Sequence, residues 1–188
     1  NAKHLSIGYF PPRLKFNGFA EFIINPDLKA EAINIGIPQM RNDLAGFTME
    51  STMPKLQFKT EVMTLPHSNA GVYFHTRFQD EGWPKAGFEC QVNNTYHDPK
   101  KTASIYGVID CLEAPANDDE WFTLYIKVDG NHVITKVNDK IVADWTQPDD
   151  WKKGVNFERI LGEGTFALQG HDPGSTVLFR NLFVKRLP

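Results

Sequence analysis

Three short stretches carry the side chains best suited to chemistry. In Thr165-Phe166-Ala167-Leu168-Gln169-Gly170-His171, strand alternation sets Phe166 and Leu168 on one face and Gln169 and His171 on the other. Asp172-Pro173-Gly174 then turns the chain. In Ala86-Gly87-Phe88-Glu89-Cys90-Gln91-Val92-Asn93, the trio Phe88, Cys90 and Val92 opposes Glu89, Gln91 and Asn93. In residues 70–78, Tyr73, His75 and Arg77 stand together against Val72, Phe74 and Thr76. If these stretches line one concave face they make a polar groove, with Tyr106 joining from an adjacent strand. Such planar polar groups hydrogen-bond to hydroxyls, and a Tyr or Trp ring covers the apolar face of a sugar. Glu89 with a histidine can move a proton or hold a hard divalent cation. Plainer readings stand beside these. Arg77 and His75 could sit on ordinary sheet surface, and Trp145 and Trp151 are either rim platforms or loop anchors. His4, His67, His97 and His132 lack evident partners and are expected in solvent. The acidic run Asp118-Asp119-Glu120 is expected to be a solvated loop.

The elements that must position these residues are short strands. Residues 56–64 alternate clearly, and strands are also expected over 70–78, 88–93 and 102–109. Trp121 to Val128 pairs with His132 to Val137 through an Asp129-Gly130 hairpin, and Asn138-Asp139-Lys140 turns into Ile141-Val142-Ala143. Residues 165–171 and 177–184 close the pattern. Residues 1–53, broken by Pro11-Pro12, Asn25-Pro26 and Ile37-Pro38, are hard to read and suggest short strands with long connections. Many short strands with frequent turn signals predict an all-β sandwich or barrel in one domain spanning 1–188. No βαβ unit or phosphate-binding glycine loop is present, so a nucleotide cofactor is not expected.

Composition narrows the partners. The chain has 188 residues, enough for one domain with a sizeable core, and a formal net charge of -3. That charge does not favour nucleic acid or an anionic membrane, and no apolar run is long enough to span a bilayer. The chain begins at Asn1, as a processed product or a piece of a longer protein would. Cys90 is expected as a buried free thiol. A disulfide to Cys111 requires neighbouring strands, and two cysteines alone make no zinc site.

Several stretches in order resemble one family. They are Ser68-Asn69-Ala70-Gly71-Val72-Tyr73-Phe74-His75, Gly87-Phe88-Glu89-Cys90-Gln91-Val92-Asn93-Asn94, Lys101-Thr102-Ala103-Ser104-Ile105-Tyr106, Glu120-Trp121-Phe122, Val137-Asn138-Asp139-Lys140, Phe166-Ala167-Leu168-Gln169-Gly170-His171 and Val177-Leu178-Phe179-Arg180-Asn181-Leu182. Together they cover about residues 56–188, and they resemble the 3-keto-disaccharide hydrolase family. The resemblance implies a concanavalin- or LamG-like jelly-roll β-sandwich of two antiparallel sheets. It also implies an exported protein, periplasmic, extracellular or at the outer surface, that processes glycosides.

The family's Gly-Phe-Glu-x-Gln motif falls on Glu89 and Gln91, and its histidine after Leu-Gln falls on His171. An arginine common in the family is His75 here, with Arg77 two residues on. The implied chemistry starts from a glycoside oxidised at C3, delivered by a separate sugar 3-dehydrogenase. A base, His171 or His75, removes the C2 proton, and the enolate expels the C1 substituent, with or without rehydration. Glu89 and Gln91, alone or with a divalent Ca, Mg or Mn ion that His171 would help to hold, would stabilise the enolate oxygen. Arg77, Gln169, Gln91, Asn93, Tyr73, Tyr106 and Trp151 would bind the sugar. A direct glycosidase needs a pair of carboxylates, and only Glu89 stands out in the groove. The rival reading is a lectin-like carbohydrate-binding module with Trp83, Trp145 and Trp151 as platforms. An inactive or structural member is a third possibility. The oligomeric state is open.

Overall fold

The structure is a computed structural model that describes residues 22–24, 55–77, 84–170, 172 and 174–188. Trp83, His171 and His4 lie outside the described residues. The strands are β1 (Phe22–Ile24), β2 (Lys55–Thr64), β3 (Ala70–Thr76), β4 (Phe88–Val92), β5 (Phe122–Asp129), β6 (His132–Val137), β7 (Lys140–Thr146), β8 (Thr165–Gly170) and β9 (Val177–Arg186). They form a larger sheet in the order β1-β9-β2-β5-β6-β7 and a smaller one in the order β4-β3-β8. Every pairing between these strands is antiparallel. The architecture is all-β, resembling a jelly-roll sandwich, and neither sheet closes into a barrel.

The core lies between the sheets and follows from alternation. The larger sheet contributes Leu56, Phe58, Val62, Leu124, Ile126, Val128 and Phe179, and the smaller contributes Val72, Phe74, Phe88, Cys90, Phe166 and Leu168. Phe58 stacks on Phe166 across the interface with ring centroids 4.7 Å apart. Truncating either ring to alanine would cost about 3–5 kcal/mol. Cys90 and Cys111 are both free thiols, and Cys90 is buried as its face predicts.

The two sheets treat their outer faces differently. Buried and partly exposed residues alternate along β5 and β6, whereas every residue of β3 is buried. Two loops pack against the smaller sheet. One follows β4 and the other precedes β8.

Three expectations change. Residues 102–109 form no regular strand, because Ala103 (φ 68°) and Gly107 (φ 69°) take left-handed conformations. Ile105 alone bridges to Cys90 and Ile109. In β3 the pairing register with β8 shifts between Tyr73 and Thr76, and His75 has φ 53°. Strict alternation therefore ends at Tyr73, and Arg77 lies exposed just beyond the strand. In the acidic run, Asp119 and Glu120 are exposed in a loop as expected, whereas Asp118 is half-buried. It accepts hydrogen bonds from Thr64 Oγ1 at 2.6 Å and from Thr95 Oγ1.

Candidate active site

The register of the smaller sheet builds the site floor. Gly71 lies between Gln91 and Gln169, and Tyr73 lies between Glu89 and Ala167. The outward positions of three strands thus bring Glu89, Gln91, Tyr73 and Gln169 together. Tyr73 donates its hydroxyl to Glu89 Oε2 at 3.1 Å. Gln169 Nε2 donates to Glu89 Oε1 at 2.7 Å. With its amide nitrogen turned toward the carboxylate, Gln91 donates to Glu89 Oε1 at 3.2 Å and to the Ala70 carbonyl at 3.0 Å.

Gly71 makes this cluster possible. A Cβ there would lie 2.5 Å from Glu89 Oε1 and 2.9 Å from its Cγ. The Glu89 side chain therefore lies across the gap that glycine leaves, and so reaches Gln169. A glycine inside a strand often marks such a close approach.

Burial pushes Glu89 up to about 7, against the pull of the Tyr73 and Gln169 hydrogen bonds and the Arg159 charge, while Asp98 pushes the same way as burial. Its donors are neutral groups, which bind a carboxylate without the full stabilisation an ion pair provides. Burial and the neighbouring Glu89 charge raise Tyr73, so the phenol stays protonated as a donor. Gln169 is 5% exposed, and its Oε1 has no partner among the described residues.

A wall rises beside Glu89. Tyr106 N donates to the Glu89 carbonyl at 2.9 Å, which places Tyr106 next to it. The Tyr106 hydroxyl donates to Asp98 Oδ2 at 3.2 Å, and Lys100 Nζ lies 3.8 Å from the ring centroid. Burial, followed by the Asp98 charge, pushes Tyr106 up to about 12. Asn93 is fully buried and donates to the carbonyls of Asp98 and Lys100, each at 2.9 Å. It therefore shapes the loop that carries both residues.

The other predicted residues take separate places. His75 is 2% exposed, and its Nδ1 accepts the Gly162 N–H at 3.2 Å. That bond requires an unprotonated Nδ1. Glycines flank the bulge at His75, because a Cβ on Gly87 or Gly164 would come within 2.3 Å or 2.4 Å of its backbone surroundings. Trp151 donates its indole N–H to the Arg159 carbonyl at 2.8 Å and meets Trp145 edge-on at 5.1 Å. It anchors the loop before β8. His171, the third member of the candidate metal set with Glu89 and Gln91, lies outside the described residues. Among the described residues, no group of three or more His, Cys, Asp or Glu could hold a metal ion. Glu89 is the single anionic ligand that the set offers, and a hard cation draws on several oxygens.

Sequence reasoning misses Arg159, Asp98 and Lys100. Asp98 and Lys100 reach the site through a loop whose course no periodicity describes. Arg159 lies in the segment between β7 and β8, 70 positions from Glu89 by number. Gly71 did carry a signal, as a glycine between Ala70 and Val72 in an otherwise apolar strand.

The chain resembles the solved structure of a "putative glycosyl hydrolase" from Parabacteroides distasonis ATCC 8503, with TM-score 0.61 and 18% identity over 74% of this chain and 75% of that one. A second structure so described from the same strain gives TM-score 0.59 and 19% identity over 70% of this chain and 78% of that one. At these identities the likeness establishes a shared fold. No curated protein matches the chain. Residues 34–185 match the family described as the 3-keto-alpha-glucoside-1,2-lyase-like domain, and the chain belongs to that family.

Proposed function

We propose that this protein cleaves 3-keto glycosides by removing the C2 proton and eliminating the C1 substituent, with Glu89 as the base. The observation that carries this reading is the Glu89 carboxylate, set among neutral donors and pushed up to about 7. A base works best with its pKa near the working pH. A C3 ketone acidifies the C2 hydrogen, so a carboxylate of raised basicity suffices. Glu89 takes this role ahead of His75, whose Nδ1 is occupied by the Gly162 N–H.

Tyr73 and Gln169 hold the carboxylate in place. The free acceptor on Gln169 suits a sugar hydroxyl. The sandwich is read as concanavalin-like. Trp145 and Trp151 pack on each other, and Trp145 meets Phe88 edge-on at 5.5 Å, so the aromatic platforms of a pure binding module are not favoured. A divalent cation held by Glu89, Gln91 and His171 is a separate proposal, and no step here runs through it. A sugar 3-dehydrogenase would supply the substrate, and the site of action would be outside the cytoplasm.

The test is time-resolved NMR in deuterated buffer with a 3-keto-glucoside and its unoxidised parent, with and without chelator. The reading expects aglycone release and C2 exchange from the keto form alone, with kcat/KM rising through pH 7 as Glu89 ionises. Loss of turnover with chelator would support the metal. Turnover of the parent, or an undiminished rate in Glu89→Gln, would overturn Glu89 as the base of an elimination.

A further inference from the structure

Arg159 has features that a surface arginine does not need. Its backbone is left-handed, with φ 45°. For a residue with a Cβ this conformation is strained and persists only where the surroundings enforce it. Here they do. The Arg159 carbonyl accepts the Trp151 indole N–H at 2.8 Å. Glu158 N donates to the Lys85 carbonyl at 2.8 Å, and Leu161 N donates to Gln147 Oε1 at 2.8 Å. Gly162 N is held by His75. The chain is thus clamped on both sides of one strained residue.

The side chain is aimed with similar care. The guanidinium lies 6.0 Å from the Tyr106 ring centroid and 5.2 Å from that of Phe157. It passes so close to Gly107 that a Cβ there would lie 2.9 Å from a terminal nitrogen. Its charge is felt at Glu89. Yet among the described residues no carboxylate pairs with it, and no hydrogen bond engages its nitrogens. A half-buried fork of N–H donors is left facing the site, and arginine keeps its charge at any working pH.

We infer that Arg159 binds the C3 oxygen of the keto sugar and stabilises the negative charge that develops there. The inference rests on the elimination reading above. Glu89 takes the C2 proton, and the C–H electron pair moves to form C2=C3 with the charge on the C3 oxygen. Donors already in place at that oxygen need no reorganisation as the charge forms. The C3 carbonyl then re-forms, C1=C2 forms, and the C1–O bond breaks with its pair on the leaving oxygen. That oxygen takes the proton back from Glu89.

The experiment compares wild type, Arg159→Lys and Arg159→Met for C2 deuterium exchange and aglycone release from a 3-keto-glucoside. A ¹³C-carboxyl NMR titration of Glu89 runs in parallel without substrate. In Arg159→Met, both exchange and release should fall by about 10²- to 10³-fold, with KM little changed. Arg159→Lys should recover part of each. The Glu89 titration should move upward in Arg159→Met, which confirms a folded site that has lost a nearby positive charge. Exchange retained with release lost would put Arg159 on the leaving group and overturn the assignment. So would rates within threefold of wild type, on the order of 0.6 kcal/mol, while wild-type turnover left the elimination reading standing. No turnover in wild type, with the titration shift intact, would overturn the elimination reading and this inference with it.

Discussion

Glu61 in β2 and Glu89 in β4 occupy comparable positions, outward-facing carboxylates on the two sheets, and their environments are opposite. Glu61 accepts from Arg180 Nε at 2.7 Å and Asn181 Nδ2 at 2.6 Å, and these bonds hold it below the usual carboxylate range. Arg180 in turn stacks 3.7 Å from the Trp121 ring centroid. Glu89 accepts from a phenol and an amide, and burial holds it above that range, up to about 7. A charged partner in an open setting makes a carboxylate inert, while burial among neutral donors leaves it basic. The outer face of the larger sheet is a surface, and that of the smaller sheet carries the candidate site.

The largest effect that would break this contrast is on turnover. Glu89→Gln should lower the rate on a 3-keto-glucoside by about 10²- to 10⁴-fold, and Glu61→Gln should leave it unchanged in the same steady-state assay. Next is Gly71→Ala. Its Cβ would displace a carboxylate oxygen 2.5 Å away. A misplacement near 1 Å is worth about 10²-fold in kcat, so this variant should approach Glu89→Gln in rate while retaining Glu89. Wild-type activity in Gly71→Ala would show that the Glu89 pose is not the working one.

Stability should carry opposite pH signatures. Glu89 has a raised folded pKa, so its contribution is full below about 4.5 and is lost as pH rises through about 7. The loss is at most roughly 3 kcal/mol. Urea melts should show stability falling across that window, and Glu89→Gln should flatten the fall. Glu61 has a lowered folded pKa, so its contribution exists above about 4.5 and fades as pH falls further. Its partly exposed ion pair is worth about 0.2–1 kcal/mol. Glu61→Gln should therefore cost that much at pH 7 and nothing in strong acid. A wild-type curve that rises from pH 5 to 8 would contradict the assignment for Glu89.

The smallest effect lies in the hairpin between β6 and β7. Asn138 (φ 47°) and Asp139 (φ 67°) are both left-handed, the conformation in which glycine follows asparagine most easily. Asp139→Gly should stabilise by on the order of 0.5 kcal/mol, read as a thermal shift with kcat unchanged. An altered kcat would mean that the larger sheet's surface reaches the site after all.

Legibility differs between these regions for a physical reason. Alternation is a local property, so β2, β5 and β6 can be read directly from residue order. The hairpins at Gly130 and Asn138-Asp139 are equally local, because turn conformations demand particular residues. Along β3 and β4 the same rule groups Tyr73 with Glu89 and Gln91 on the side away from the core. It breaks at His75, where the bulge depends on how β8 pairs with β3. The strand expected over 102–109 fails in the same way, because Ala103 adopts a left-handed conformation that nothing in its own chemistry announces.

Residue order by itself determined the all-β class, the apolar faces that make the core, and the outward placement of Tyr73, Glu89, Gln91 and Gln169. These follow from a period of two and from turn chemistry. Only the tertiary structure decided that Glu89 lies across Gly71 to reach Gln169, that burial keeps it basic, and that the Arg159 charge reaches it. Register between strands distant in sequence, and the course of loops held by single hydrogen bonds, are set by packing across the whole molecule.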